Sequence, residues 1–364
     1  MKLKEITGFL ETIAPLAFQE SYDNSGLISG DPEMIIESAL ICIDSTEDVI
    51  EEAIKNKCNL VIAHHPIVFS GIKKFTGTDY IQRALLKAIR NNIAIYAIHT
   101  NLDNVYNGVN AQICRKLSLK NCKILSPKKE ILKKIFTFCP AGKANIVRQA
   151  MFSAGGGHIG NYDECSFNSV GDGTFRPLES TNPYVGRKGK QHIEKEIKIE
   201  MVFPSYLEKK ILDALISSHP YEEVAYDIIL LNNSIPGVGG GMIGYLEKPE
   251  TEINFLKNLK RVMNTKCIRH TSLIRKKIQK VAVCGGSGSS LLKNAMVEGA
   301  DLFITSDFKY HQFFDAEGKI LIADIGHYES EQFTIELIGK FLKQNFPTFA
   351  VRFSKVNTNP VNYY

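Results

Sequence analysis

The sequence predicts an α/β protein in which a layered core is interrupted by a smaller α+β insert. Short apolar runs alternate with amphipathic helical segments in residues 1–127, and the same alternation resumes over residues 246–364. Between these parts the pattern changes to a β-α-β, β-α-β order, which is typical of a ferredoxin-like module. We therefore predict a two-part core, 1–127 and 246–364, and an inserted domain over residues 128–245.

Length and composition narrow the class of protein. A chain of 364 residues can bury a sizeable core in two or three domains. It contains no apolar run of membrane-spanning length and no apolar signal segment in its first fifteen residues. The net charge of +5 is mild, and its eight cysteines form no C-x-x-C pair. We expect a cytoplasmic protein that acts on a small molecule, with no membrane partner and no nucleic-acid partner.

Each element of the first part follows from its local pattern. Apolar residues at helical spacing mark a first helix, at Leu3, Ile6, Leu10 and Ile13. Two further helices are predicted from the same periodicity, over 47–57 and 79–92. Continuous apolar runs predict buried strands over 39–43, 60–63 and 93–98.

The middle and last parts are read in the same way. In the insert we predict strands over 135–138, 193–202 and 226–231, helices over 144–152 and 206–217, and a polar Gly-rich stretch over 155–173. In the second half we predict strands over 281–284, 301–305, 320–325 and 349–353. A long helix is expected to open at residues 326–331.

Two adjacent histidines follow the strand over 60–63. Successive residues on an extended chain point to opposite faces, so His64 and His65 converge only if the backbone bends. Pro66 ends the sheet ladder and permits that bend. This pair alone does not decide between structural histidines and a metal site.

Three strand ends carry metal-capable side chains: His64 with His65, His99 with Asp103, and His327 with Glu331. Positions i and i+4 lie on one helix face, so the last pair is the most informative. Each pair alone is also explained by capping or solvation. Together they exceed the needs of one ion and predict a two-metal site with a bridging carboxylate. Mixed imidazole and carboxylate ligands suit Zn, Fe, Mn or Ni.

Other candidates are weaker. The Gly-rich turn Gly286-Ser287-Gly288 could bind an anion at a helix N-terminus, although a tight strand–helix turn explains it equally well. Asp307, Lys309 and His311 could assist proton transfer or hold a phosphate, and the alternative for all three is an ordinary polar loop.

Six segments resemble one family: DNSGL at 23–27, AHHPIVF at 63–69, HTNLD at 99–103, GGSG at 285–288, TSDFKYH at 305–311 and DIGHYESE at 324–331. This is the NGG-one-interacting-factor-three-like dinuclear metal-centre family, often labelled GTP cyclohydrolase 1 type 2 homologue. Three further segments look like the middle domain of its long bacterial form, which is similar to the PII and CutA folds: GGGHIGNYDECSF, GDGTF and HPYEEVAYDI.

The resemblance implies two divalent ions per subunit and a homohexamer with sites facing an internal cavity. It implies metal ligands at His64, His65, Asp103, His327 and Glu331, with His99 close to that set as a second-layer or substrate-facing residue.

Two functions of different class are compatible with these residues. The first is a metal-dependent hydrolase, of cyclohydrolase or phosphoesterase type, acting on a nucleotide-like or phosphorylated small molecule. The second is a non-catalytic metal-handling or regulatory binding protein, which the PII-like insert favours. Metal-dependent turnover of candidate substrates distinguishes them.

Overall fold

The computed structural model describes residues 1–364. Its α-helices are α1 (Leu3–Ile13), α2 (Glu47–Lys55), α3 (Tyr80–Arg90), α4 (Thr100–Asp103), α5 (Val109–Lys116), α6 (Ala144–Ser153), α7 (Glu208–Ser218), α8 (Glu252–Val262), α9 (Leu292–Val297), α10 (His327–Glu331) and α11 (Thr334–Asn345). Short 3-10 helices lie at Leu16–Phe18, Ser205–Leu207, Ser289–Leu291 and Tyr310–Ala316.

The strands are β1 (Gly26–Ser29), β2 (Ser38–Cys42), β3 (Leu60–Ala63), β4 (Ala94–Ala97), β5 (Lys120–Pro127), β6 (Leu132–Pro140), β7 (Phe167–Phe175), β8 (His192–Pro204), β9 (Tyr226–Leu231), β10 (Gly239–Thr251), β11 (Arg269–His270), β12 (Lys277–Ser287), β13 (Leu302–Ser306), β14 (Leu321–Asp324) and β15 (Ala350–Phe353). They divide between two compact units. One comprises Met1–Ser126 with Gly237–Tyr364, and the other comprises Pro127–Pro236.

The first sheet of the larger unit has the order β1-β4-β3-β2-β15. Strands β15, β2, β3 and β4 are parallel neighbours, and β1 runs antiparallel at the edge. Both faces of β2, β3 and β4 are buried, and apart from Ser38 at the start of β2 these strands are built from apolar residues. Thr46 caps helix α2, and its side chain accepts a hydrogen bond from Val49 N. Such a cap stabilises a helix by about 1 kcal/mol.

The second sheet of the same unit has the order β11-β14-β13-β12-β10-β5. Its central strands β12, β13 and β14 are parallel, whereas β10 and β11 pair antiparallel with their neighbours. Apolar clusters cover both faces, one including Phe255 and Leu259 of α8 and the other including Phe303 and Phe308. The parallel strands of the two sheets therefore supply two sets of carboxyl ends where side chains can gather.

The smaller unit is ferredoxin-like. Its elements follow the order β6-α6-β7-β8-α7-β9, and the antiparallel sheet has the order β7-β8-β6-β9. Helices α6 and α7 bury Val147, Met151, Ile211 and Leu215 in an apolar cluster with one face of the sheet. The predicted α/β fold with a ferredoxin-like insert is confirmed.

Three local expectations differ from the structure. Strand β7 overlaps the stretch that was predicted to be polar and Gly-rich. It was not predicted as a strand because its exposed residues lack the apolar pattern of a buried strand. The predicted long helix from residue 326 is divided into α10 and α11. The predicted insert boundary at residue 245 falls inside β10, in which residues 242–245 pair with β12.

None of the helices combines the length and the apolar composition that a membrane-spanning helix requires.

The adjacency of β5 and β10 generates a test of the insert. The chain leaves the larger unit after β5 and returns just before β10, and these strands are neighbours in one sheet. We expect a chain that joins Ser126 to Gly237 through a short Gly-Ser linker to remain soluble and folded, because inserted domains have close termini.

The matched control is a deletion of residues 128–245. It removes residues 242–245 of β10, which pair with β12, and we expect it to be insoluble. Solubility and thermal unfolding distinguish the two proteins. If the first deletion also failed to fold, the insert would not be a separable module.

Candidate metal centre

The first sheet supplies two histidines from the end of β3. The backbone amides of His64 and His65 donate to Cys42 O and Ile43 O, so the ladder continues past β3 before Pro66. The two ring centroids are 4.9 Å apart, with planes inclined at 40°. Both rings face one carboxylate, that of Glu331.

The same sheet supplies a carboxylate one strand further along. Beyond β4, the Ile98 amide donates to Ala63 O, and His99 precedes the single turn of α4. That turn ends with Asp103, whose Oδ1 lies 3.8 Å from His64 Nε2.

The second sheet supplies His327 and Glu331 on α10, directly after β14. Gly326 begins this helix at φ +94°, and a Cβ at that position would lie 2.3 Å from Glu329 Oε2, so glycine is required here. One helical turn then places His327 Nε2 3.1 Å from Glu331 Oε2.

The two oxygens of Glu331 face different histidines. Oε2 lies 2.9 Å from His65 Nε2 and 3.1 Å from His327 Nε2, whereas Oε1 lies 3.7 Å from His64 Nε2. The His65 and His327 Nε2 atoms are 3.3 Å apart. His64, His65 and Glu331 thus form a possible metal-binding cluster, with His327 and Asp103 beside it.

An acceptor behind each of these three rings fixes its orientation. His64 Nδ1 donates to Ile98 O at 2.8 Å, His65 Nδ1 to Asp44 Oδ1 at 2.7 Å, and His327 Nδ1 to Asp307 Oδ2 at 2.6 Å. With Nδ1 carrying the proton, the Nε2 atom of a neutral ring presents its lone pair to the centre. Histidines that bind metals in proteins are held in this way.

Burial and neighbouring charges shift the pKa values of the clustered side chains in opposite directions. Burial lowers the pKa of His65 and of His327, but hydrogen bonds and charge from Glu331, Asp44 and Asp307 outweigh it and raise these values to about 10 and about 11. Burial also raises the pKa of Asp103 to about 6, with His64 opposing the shift. For Glu331 the neighbouring histidines outweigh burial and hold its pKa well below the ordinary value.

The residues fit divalent ions. His64 Nε2 and Asp103 Oδ1 are buried and have no hydrogen-bond partner, although they face each other at 3.8 Å. A buried lone pair beside a carboxylate oxygen is unfavourable unless a cation lies near both. Imidazole and carboxylate are also the donors that Zn, Fe, Mn and Ni accept.

His99 lies next to the cluster. Its ring centroid is 5.3 Å from that of His64 and 5.2 Å from that of His65. Nδ1 donates to Asp23 Oδ1 at 2.8 Å, and Asp23 also accepts from Thr100 N and Oγ1. Asp23 therefore orients His99, whose predicted role beside the metal ligands stays a prediction.

The weaker candidates have other contacts. Asp307 is hydrogen-bonded to His327, and His311 lies on an exposed aromatic surface with its ring centroid 5.2 Å from that of Tyr310. Their catalytic roles stay predictions.

The Gly286-Ser287-Gly288 turn makes room for Glu331. The Gly286 amide donates to Ser330 Oγ and the Gly288 amide to Thr305 Oγ1, so neither points to a free site. A Cβ on Gly286 would lie 2.3 Å from Glu331 Oε1. Anion binding by this turn stays a prediction.

Sequence reasoning missed Asp44. It follows β2, the strand next to β3, and Thr358 Oγ1 holds its second oxygen at 2.5 Å. A carboxylate just after a buried parallel strand was the available signal, since neighbouring parallel strands end at the same edge.

The fold and site define an α/β protein that has a candidate histidine–carboxylate metal centre and a ferredoxin-like insert. The chain belongs to the Duf34/NIF3 (NGG1p interacting factor 3) family, whose model matches residues 1–360.

Similar proteins align over nearly the whole chain. The GTP cyclohydrolase 1 type 2 homolog of Halalkalibacterium halodurans is 38% identical, with 97% of this chain and 96% of the relative covered. The protein of the same name from Bacillus subtilis is 34% identical, with 99% and 98% covered. The solved structure of a Bacillus cereus protein related to NIF3 has a TM-score of 0.81 at 34% identity, with 100% and 99% covered.

The contact of Asp44 with His65 generates a prediction. Asp44→Asn keeps the shape but removes the negative charge behind the ring, so we expect about a 10- to 100-fold loss of Zn²⁺ or Mn²⁺ affinity with the fold retained. Calorimetric titration measures the metal affinity of each variant. Asp48→Asn, an exposed residue of α2, is the control, and equal affinities in the two variants would contradict a role for Asp44.

Proposed function

We propose that this chain binds two divalent ions and hydrolyses a nucleotide-like or phosphorylated small molecule. The observation that carries the proposal is the placement of Glu331, whose two oxygens face two separate groups of donors. His64 and Asp103 lie on the Oε1 side, and His65 and His327 lie on the Oε2 side.

This arrangement suits a bridging carboxylate. Two nearby cations repel one another unless anionic oxygen lies between them, and imidazole is a neutral ligand. Glu331 would supply that oxygen, and its 2% exposed side chain is held in place by its surroundings. Asp103 would add a second negative charge next to His64.

Bound divalent ions lower the pKa of a coordinated water molecule and offset negative charge on phosphate oxygens. The chain's own residues would position the substrate. His99, oriented by Asp23, has its Nε2 available to accept a proton or a substrate hydrogen bond. The ring of Phe69, 54% exposed, lies 5.9 Å from the His99 ring and offers an apolar surface for a substrate.

The substrate class rests on the relatives and on the open side of the site. The curated relatives carry the name GTP cyclohydrolase 1 type 2 homolog. The His327 side chain is 39% exposed, so one side of the donor cluster is accessible. No contact in this chain selects guanine, so the proposal is limited to nucleotide-like or phosphorylated molecules. We also propose a cytoplasmic homohexamer, from the family resemblance, which light scattering of the purified protein tests.

The alternative is a metal-handling or regulatory protein without turnover. The observation favouring it is a large cavity in the ferredoxin-like unit, lined by Glu196 and Tyr221 among others. A binding protein would retain the metals and show no metal-dependent hydrolysis.

Replacing Glu331 by Gln tests the bridging role. The change removes the charge but little volume, so we expect at least one of two ions per subunit to be lost while thermal unfolding still shows a folded core. Metal analysis by mass spectrometry gives the count. Glu336→Gln on the exposed side of α11 is the control. Full metal content in Glu331→Gln would contradict the bridging role of Glu331.

Activity is tested with a panel of nucleoside triphosphates, sugar phosphates and phosphodiesters. We expect hydrolysis of at least one class to stop in chelator, to resume with added divalent ions, and to be lost in Glu331→Gln. Unchanged hydrolysis in chelator, or none with fully loaded protein, would favour the alternative.

Proton release tests the histidine environment. The neighbouring carboxylates raise the pKa values of His65 and His327 to about 10 and about 11, so we expect both rings to carry a second proton near pH 8 in the metal-free protein. Metal binding must displace them, so we expect roughly two protons to be released and the metal affinity to rise with pH until about pH 11. Calorimetry in buffers of different ionisation enthalpy measures the release. A pH-independent affinity would contradict the assignment of these rings as ligands.

A further inference from the structure

A cavity of about 730 Å³ lies within the ferredoxin-like unit. All of its lining residues belong to that unit, whereas the candidate metal ligands belong to the larger unit. One wall is the edge strand β7, and another is formed by the segments around Tyr184 and Tyr221. The sheet floor contributes Phe138 and Glu196. A volume of this size accommodates a drug-sized molecule.

Aromatic rings line one side of the cavity. The Phe175 and Tyr221 ring centroids are 5.9 Å apart, and those of Tyr184 and Tyr221 are 6.3 Å apart. Tyr184 is 50% exposed, so the residue is accessible to a ligand. Rings placed around an opening attract cations through their negative faces.

Glu196 is a buried carboxylate in this cavity. Its side chain is on β8 and the residue is only 8% exposed. Oε1 accepts a hydrogen bond from the Tyr221 hydroxyl at 2.8 Å. Oε2 lies against Gly173 of β7, where a Cβ would be 2.0 Å away, so glycine is needed for the carboxylate to occupy this position. The site is thus built around the acid.

No basic side chain neutralises Glu196. Lys195 pairs with Asp172 at 2.7 Å, and Lys198 with Glu200 at 2.8 Å. The nearby His219 ring is already bonded to backbone at both nitrogens, accepting from Tyr221 N and donating to Phe138 O. A buried carboxylate with only a hydroxyl partner is unfavourable, and a ligand cation would relieve that cost.

The charge of the lining favours the same ligand. Four of its residues are acidic, Asp172, Glu196, Glu222 and Glu223, and two are basic, Arg176 and Lys198. Arg176 is exposed and makes no hydrogen bond to Glu196. The cavity therefore has a net negative lining with an aromatic wall.

We propose that this cavity binds an organic cation, an ammonium or amidinium group attached to an aromatic or apolar body. The cationic group donates to Glu196 Oε2, and the body packs against Tyr184, Tyr221 and Phe175. This inference does not depend on the metal centre, because every residue that carries it belongs to the smaller unit.

The probe is tryptamine, a primary ammonium on an indole, and its uncharged control is indole-3-ethanol. Calorimetry with the full chain is expected to show tryptamine binding with a Kd of about 1 mM or lower, and about 10-fold or more tighter than indole-3-ethanol. In Glu196→Gln the preference for the cation is expected to disappear, since glutamine can still accept from Tyr221 but carries no charge.

Two further variants keep the test decisive. Glu194→Gln changes a carboxylate on the same strand that pairs with His192 outside the cavity lining, and it is expected to bind tryptamine like the unmodified protein. Tyr184→Ala removes an exposed ring and is expected to weaken both probes. The proposal is overturned if tryptamine does not bind, if both probes bind equally to the unmodified protein, or if Glu196→Gln keeps the preference. Thermal unfolding of each variant confirms folding.

Discussion

The contact between Glu331 and the histidines of the first sheet is the constraint on which the larger unit depends. Glu331 belongs to the end of the second sheet, and His64 and His65 belong to the end of the first. Burying an ionised carboxylate costs several kcal/mol unless charge and hydrogen bonds compensate. The ends of the two sheets therefore meet in a small polar cluster, and the Gly286 turn leaves the space that Glu331 needs.

Much of the fold and of the candidate metal centre could be predicted from the sequence, because the parallel strands are buried on both faces. Continuous apolar runs such as Leu60–Ala63 need no alternation to be recognised, and each is followed at once by a polar residue of the site. The i, i+4 spacing of His327 and Glu331 also translated directly into a shared helix face. Long segments of the sequence indicated the family, which the match over residues 1–360 confirms.

What the sequence did not reveal depends on tertiary contacts. Asp44 looks like any acidic residue after a strand until β2 and β3 are seen to be neighbours. The edge strand β7 carries glycines and exposed polar residues, so its pairing with β8 decides its conformation rather than its own composition. Likewise, the contact of the Gly286 turn with Glu331 becomes visible only in the structure, because the two segments are far apart in sequence.

The last strand has a consequence for biosynthesis. Strand β15 pairs with β2, so Ala350 lies opposite Ser38 although nearly the whole chain separates them. At about 5–20 residues per second, the ribosome would produce β15 on the order of 15–60 s after β2. During that interval one edge of the nascent first sheet is open to pairing with other chains, a recognised aggregation hazard. The ferredoxin-like unit, by contrast, has all its strands within one continuous segment and can fold while translation of the core continues.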